Sequence, residues 1–335
     1  MKTLEICDIM NKYKVLITRK FFDEAVEIIN TVADVEIFEA ENDPIPRDLL
    51  LEKVEKVDGL LSMLTDRIDS ELLDRGSKLK VVSNYAVGYN NIDLVAATEK
   101  GVLVTNTPGV LTDSTADCAF MHLMAISRRL VEVDQFIRNG DWKKAWGPKM
   151  LLGSDINGKT LGIVGLGRIG SALVPRAKGF GMNIIYNDEG PAPEKEKELG
   201  VEYRKLDDLL READYVSLHV PLTEETKYLI DKRELELMKK SAFLINTSRG
   251  PVVNEEALYE ALKSKTIAGA GIDVFEEEPT SSDNPLLELD NIIVTPHIGS
   301  ATHETRLAMA LKAANNLTAA LKGERPPDLL NPEVL

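Results

Sequence analysis

Two cysteines in 335 residues, Cys7 and Cys118, are too few for a disulfide framework, and neither has the paired spacing of a zinc site. That scarcity fits a reducing, cytoplasmic setting and gives no reason to expect a metal. Basic residues are also in deficit: 40 Lys and Arg stand against 55 Asp and Glu, a formal charge of -15. Such a balance opposes binding along a nucleic-acid backbone, where like charges would be brought together instead of counterions being released. No uninterrupted apolar run reaches the ~20 residues that a bilayer crossing needs. Glu5 and Asp8 interrupt the stretch Met1 to Lys14 where a signal peptide would need its apolar segment. A soluble protein acting on small molecules, with neither nucleic acid nor membrane as partner, is the expectation. Histidine is scarce as well, with four in the chain, so a catalytic imidazole can be sought by elimination.

What is plentiful is apolar sequence, 44% of the chain, enough to bury the cores of two domains. Short β-rich runs at Val15 to Thr18, Val35 to Phe38, Gly59 to Ser62 and Lys80 to Ser83 alternate with helical patterns, the grammar of an α/β fold. A single long helix is expected between Asp113 and Asn139, opened by the capping candidates Asp113 and Ser114 and closed at Asn139-Gly140. At ~1.5 Å per residue it would reach roughly 40 Å, long enough to bridge domains or line a subunit interface, although an ordinary core helix explains Met121, Leu123, Met124 and Ile126 equally well. Trp142 to Gly158 reads as an irregular connection. Beyond it the strands strengthen: Leu161 to Val164, Asn183 to Tyr186, Tyr215 to Leu218, Ala242 to Asn246, Ala268 to Asp273 and Ile292 to Thr295. Six strands with intervening helices predict a doubly wound parallel sheet. Glu194 to Glu198 is a short charge run, read as a solvated helix face. A last amphipathic segment, Thr302 to Leu321, is expected to return to the first domain.

Gly165-Leu166-Gly167-Arg168-Ile169-Gly170 directly follows one of these strands and opens a helical pattern. Without side chains at Gly165 and Gly167 the backbone can turn tightly and approach a pyrophosphate, Gly170 lets helix and strand pack closely, and the helix N-terminus faces the anion. Asp188, 18 residues after Gly170, closes the next strand. A carboxylate there accepts from the ribose hydroxyls of NAD and repels a 2'-phosphate. No basic residue stands between Asp188 and Lys195, so NAD, not NADP, is the expected cofactor.

Active sites of open parallel sheets lie beyond the carboxyl ends of strands. Three such segments carry chemistry: Thr247-Ser248-Arg249-Gly250, Glu276-Glu277-Glu278-Pro279 and Pro296-His297-Ile298-Gly299-Ser300. Reducing a 2-keto acid needs a cation to hold the carboxylate and polarise the carbonyl, and a proton donor for its oxygen. Arg249 and His297 supply these, and an adjacent carboxylate would favour a charged imidazole and fix its tautomer. Glu276, Glu277 and Glu278 are chemically equal for that task. Of the other histidines, His122 falls in the long apolar helix and His303 in the first turn of the last one. His219 ends a strand before Val220-Pro221, where it could line an adenine pocket or make a structural hydrogen bond.

Taken together, the segments Asn84 to Asp93, Thr105 to Gly109, Gly165 to Gly170, Asn246 to Gly250, Asp273 to Pro279 and Pro296 to Thr302 resemble the D-isomer-specific 2-hydroxyacid dehydrogenase family, and within it most closely the glyoxylate/hydroxypyruvate reductases. The resemblance covers nearly the whole chain. It implies NAD(H)-dependent reduction of small 2-keto acids such as glyoxylate and hydroxypyruvate, with Arg249, Glu278 and His297 as the catalytic set, and it selects the glutamate before Pro279. Backbone amides of Val87 and Gly88 would cradle the substrate carboxylate, with Arg249 and Ser300 beside it. Cofactor contacts would come from Thr115, the loop Gly165, Gly167, Arg168, Ile169 and Gly170, then Asp188, His219, Val220, Pro221, Thr247, Ser248, Arg249, Asp273, His297 and Gly299, with Asp273 on the nicotinamide carboxamide. The family is typically dimeric through the long helix and the connection after it, and a tryptophan can be presented to the partner's site, for which Trp146 is the candidate.

The implied architecture is two Rossmann-like domains. A doubly wound cofactor domain, residues 107–299, is inserted into a smaller flavodoxin-like substrate domain built from residues 1–106 and 300–335. Two other functions share the core. Phosphoglycerate dehydrogenases often add a regulatory domain, and NADH-sensing corepressors use the fold as a binding module and can retain the same three polar residues.

Overall fold

The computed structural model describes residues 12–335, so Cys7 and the acidic interruptions at Glu5 and Asp8 lie outside the described residues. It separates into two compact units, the first combining the residues up to Val110 with Thr302–Leu335, the second running from Leu111 to Ala301.

In the first unit five strands, β1 (Tyr13–Ile17), β2 (Ala33–Ile37), β3 (Gly59–Ser62), β4 (Val81–Asn84) and β5 (Leu103–Thr105), form one parallel sheet in the order β2-β1-β3-β4-β5. β3 and β4 are buried along their whole lengths, as strands covered on both faces must be, which is why they read as unbroken apolar or small-residue runs. One face is covered by the helix His303–Leu321, which packs across β3, β4 and β5. Its contact stripe is mostly alanine, with Ala310, Ala313 and Ala314 fully buried beside Leu317. Small side chains let the helix come close enough for Ser83 Oγ to donate to the Ala313 carbonyl at 2.9 Å. Leu50, Val54, Ile68 and Leu72 fill the opposite face.

The second unit holds a seven-stranded parallel sheet: β6 (Thr160–Val164), β7 (Asn183–Asn187), β8 (Glu202–Tyr203), β9 (Tyr215–Leu218), β10 (Phe243–Asn246), β11 (Gly269–Ile272) and β12 (Ile292–Val294), in the order β12-β11-β10-β9-β6-β7-β8. The chain runs outward from β6 through β7 to β8, then returns to β9 on the other side of β6 and continues away. β6 and β9 therefore flank the switch point at which such sheets bind ligands. The six strands expected from sequence are all present. β8 escaped notice because it is two residues long and only partly buried.

The single helix expected over Asp113 to Asn139 is two: Thr112–Ser127 and Leu130–Arg138. The reason is a competing donor. The Ser127 carbonyl, which should accept from the amide four residues on, accepts instead from Ser154 N at 2.8 Å, and Ser127 Oγ turns back on the Leu123 carbonyl. Arg129 then takes a left-handed conformation, φ 54°, stabilised by Glu132 and by the Leu152 carbonyl. Residues 139–159 form the expected irregular connection.

Candidate active site

β10, β11 and β12 each end in a loop carrying one of the expected polar groups, and the second unit brings these loops together. At the end of β10, buried Asn246 shapes the turn: its Oδ1 accepts from Ser248 N and Oγ, and its Nδ2 donates to the Arg249 carbonyl at 2.9 Å. Gly250 follows because nothing larger fits, since a Cβ would stand 1.8 Å from the Phe275 carbonyl oxygen. This contact lays the Arg249 turn against the loop that holds Glu278. Burial pushes the Arg249 guanidinium below its usual range while the nearby Glu278 carboxylate opposes the shift, and an arginine so placed stays charged.

Glu278 Oε2 meets His297 Nδ1 at 2.7 Å, and Glu278 Oε1 accepts from Phe275 N at 3.0 Å. Burial alone would raise the Glu278 carboxyl, but the imidazole, the Phe275 amide and Arg249 outweigh it and hold the group below the ordinary carboxylate range. With Nδ1 committed to the glutamate, Nε2 is the nitrogen left to exchange a proton, and the side chain is 27% exposed, enough to reach a ligand. His297 itself has φ 54°, a left-handed backbone that few non-glycine residues adopt. It is held there because its amide donates to both the Asp273 carbonyl at 2.9 Å and the Thr295 carbonyl at 3.1 Å.

Asp273 is the anchor of that loop. Its carboxylate accepts from Ile298 N and Gly299 N, each at 2.8 Å, and from the Thr295 hydroxyl. Thr295 in turn accepts from His122 Nε2 at 2.9 Å, which assigns the ring proton to that nitrogen and leaves buried Nδ1 without a partner. Burial pushes the His122 imidazole down, with Asp273 opposing, in keeping with a neutral ring. His122 is thus a core support of the His297 loop, reached through Thr295. Cys118, His122 and Asp273 do bring potential ligand atoms within 4.8 Å of one another, and the Asp273 carboxylate already accepts three hydrogen bonds from the loop. Thr115 borders Gly299, and Ser114 Oγ donates to the Gly299 carbonyl at 2.9 Å; Ser300 continues the same loop.

A dinucleotide fits the switch point. Gly165, at φ 96°, begins the turn after β6, and a Cβ on it would collide with the His219 carbonyl, so His219 and Val220 lie directly against the glycine loop. A Cβ on Gly170 would come 2.1 Å from the Gly165 carbonyl oxygen, whereas nothing stands within 4 Å of one on Gly167. The opening turn of the 12-residue helix Arg168–Gly179 is therefore accessible to an anion, with Arg168 exposed and Ile169 half-buried beside it. Asp188 closes β7 and accepts from Leu166 N at 2.9 Å. Thr247 Oγ1, buried at the end of β10, has no protein partner and so offers a hydrogen bond to a bound group. Burial pushes the His219 imidazole down to about 4, and its Nε2 pairs with Ser217 Oγ at 2.9 Å, the structural bond that sequence left open. Pro221 follows in the same segment.

Some expected residues stand elsewhere. Val87 and Gly88 belong to the first unit, in the loop after β4. Trp146 is 82% exposed, so within its own chain it is not packed against the Arg249, Glu278 and His297 group. Lys195, the first basic residue after Asp188, folds its ammonium back at 2.8 Å onto the carbonyl of Leu166, the residue whose amide Asp188 accepts. Asn246, Thr295 and Ser114 were missed as supports; their sole signal was a small polar residue at the end of an apolar run.

Comparison with known proteins bears on this arrangement. Residues 120–299 match the family model described as D-isomer specific 2-hydroxyacid dehydrogenase, NAD binding domain. Glyoxylate reductase of Thermococcus litoralis is 54% identical over 97% of this chain and 98% of its own. The crystal structure of the TT0316 protein from Thermus thermophilus is 45% identical, with a TM-score of 0.89 over 95% of this chain and 99% of that one. An NADPH-dependent glyoxylate/hydroxypyruvate reductase from Sinorhizobium meliloti, crystallised with NADP and malonate, is 31% identical with a TM-score of 0.83, covering 96% of this chain and 98% of that one.

Proposed function

The chain belongs to the D-isomer specific 2-hydroxyacid dehydrogenases, and from that premise we propose that it reduces glyoxylate, hydroxypyruvate and similar small 2-keto acids to 2-hydroxy acids with NADH. The observation that carries this reading is the 2.7 Å pairing of His297 with Glu278, next to the Arg249 guanidinium at neighbouring strand ends. NADH, bound along the glycine loop, supplies the hydride. Arg249 grips the substrate carboxylate and draws electron density from the keto oxygen, which needs no metal ion. His297 gives its Nε2 proton to that oxygen, and Glu278 stabilises the imidazolium before transfer and orients the ring. In the oxidative direction His297 takes the proton back. The amides of Val87 and Gly88 are further proposed donors to a carboxylate, and Ser300 adds a hydroxyl.

NAD is preferred over NADP on this reading because Asp188 faces the ribose. Thr247, Asp273 and Thr115 border the nicotinamide half, while His219, Val220 and Pro221 border the other. The assembly is a homodimer in the cytoplasm. Its contact face is the helix Leu130–Arg138, which carries Leu130, Val131, Val133, Phe136 and Ile137 yet buries none of its residues within the chain. Trp146, exposed on the following connection, is presented to the partner.

The test is NADH oxidation with glyoxylate, hydroxypyruvate and pyruvate, in the wild type and in His297→Ala. A positioned proton donor contributes ~10² to 10⁴ in rate, so the variant should lose turnover by that factor while NADH affinity, read by fluorescence titration, stays within twofold. Wild-type turnover in the variant would end the assignment of His297. Tight NADH binding with no turnover on any keto acid would point instead to a nucleotide-sensing binding protein.

A further inference from the structure

The loop after β4 carries three consecutive carbonyls that are each held from behind. The Ala86 carbonyl accepts from Thr107 N at 2.9 Å, the Val87 carbonyl from Asn106 Nδ2 at 2.8 Å, and the Gly88 carbonyl from Asn84 Nδ2 at 3.0 Å. In a trans peptide the N–H of the next residue points opposite to the carbonyl of the same plane. Fixing these three carbonyls therefore fixes the amides of Val87, Gly88 and Tyr89, each turned away from its own anchor. Among the described residues none of these three N–H groups donates to a protein acceptor. Successive outward amides of this kind make an anion-binding concavity.

The two asparagines that hold the Val87 and Gly88 carbonyls are buried and are themselves fixed. Asn84 is fully buried and its Oδ1 accepts from Ser62 Oγ at 3.3 Å; Asn106 is 6% exposed, and its carbonyl accepts from Asn316 Nδ2 at 3.0 Å. A carboxamide is well suited to this task. It offers a neutral donor that a carbonyl can accept, where a carboxylate in the same place would repel it.

We propose that Asn84 and Asn106 are positioning residues for substrate carboxylate binding, acting by aiming the backbone amides of Gly88 and Tyr89. The proposal rests on the keto-acid reading above. It assigns to these residues control of how tightly a carboxylate is held, not of hydride or proton transfer, and so predicts a split between KM and kcat.

Full-length protein saturated with NADH is the system to test. Asn106→Ala and Asn106→Asp should each raise the KM for glyoxylate, and the dissociation constant of the unreactive dicarboxylate oxalate, by at least tenfold. The kcat at saturating glyoxylate and the Kd for NADH should stay within twofold. Asn331→Ala is the control, because that buried carboxamide takes Val104 N and the Val102 carbonyl in the same unit but touches no carbonyl of the loop. It should lower Tm while leaving KM unchanged. If Asn106→Ala does not fold, Asn106→Ser is read by the same outcomes. An unchanged KM and oxalate affinity in the Asn106 variants, or an equal rise in Asn331→Ala, overturns the proposal. Wild-type protein that binds oxalate, loses that binding in Asn106→Ala and yet turns over no keto acid would keep the positioning role and overturn the keto-acid reading. Wild type that neither turns over nor binds oxalate overturns both.

Discussion

At the scale of the residue, the histidines divide by what surrounds them. His297 carries a left-handed backbone whose cost, ~1–3 kcal/mol, is met by two hydrogen bonds to one amide, and its ring is left accessible. His219 is the opposite case, an imidazole kept neutral by burial down to about 4. Its unfolded form takes a proton near 6.5, so below that pH the unfolded chain binds a proton that the folded chain refuses until about 4. Stability should accordingly be level above pH 6.5 and fall as pH drops toward 4. Urea midpoints across about pH 7.5 to 4 should show a shallower decline in His219→Asn than in the wild type, and identical slopes would exclude the assignment. Asp188 accepts the Leu166 amide, and on the proposed reading it also repels a 2'-phosphate. Asp188→Ala should raise the NADP to NAD ratio of kcat/KM at least tenfold, a change of about 1.4 kcal/mol, while NAD efficiency itself falls as the loop loosens. Replacing Lys195 as well should bring the ratio back down if its ammonium supplies the phosphate contact; a ratio unmoved in Asp188→Ala removes that residue from specificity.

At the scale of the element, legibility followed burial. β6, β9 and β10 are buried strands of apolar or small residues, so the sequence marked them nearly to the residue. β5 and β8 are three and two residues long and could not announce themselves by periodicity. The break at Arg128-Arg129 was illegible for a different reason: local propensity favours one helix, and the donor that divides it, Ser154 N, arrives from a distant segment. The proposed trio of Arg249, Glu278 and His297 stands at strand ends, a position that sequence alone marks, but the choice among Glu276, Glu277 and Glu278 needed the resemblance. The approach of the β10 and β11 loops depends on Gly250. Gly250→Ala places a Cβ inside the Phe275 carbonyl, and overpacking of this kind costs ~1–3 kcal/mol or more. The variant should show a lowered Tm together with a fall in kcat as Arg249 moves from Glu278; a wild-type Tm would mean the loops can part without cost.

At the scale of the whole molecule, an apolar helix without a single buried residue argues for assembly. Leu130→Glu combined with Ile137→Glu puts charge into that face and should convert the protein to monomers in sedimentation velocity, with secondary structure retained. A wild type that already sediments as a monomer, or a variant that stays associated, would remove this helix from the interface. The division into two units, one of them discontinuous, follows from chain order, because the segment that completes the first sheet comes last.

That order has a consequence for biogenesis. When the ribosome has released the first 110 residues, one side of their sheet still lacks the alanine-rich helix that will shield it, and the roughly 190 residues of the other unit must emerge beforehand. At ~5–20 residues per second this delay lasts on the order of 10–40 s. A ribosome-bound chain arrested once residue 110 has emerged should therefore bind an apolar dye or a ribosome-associated chaperone, and the released chain should not.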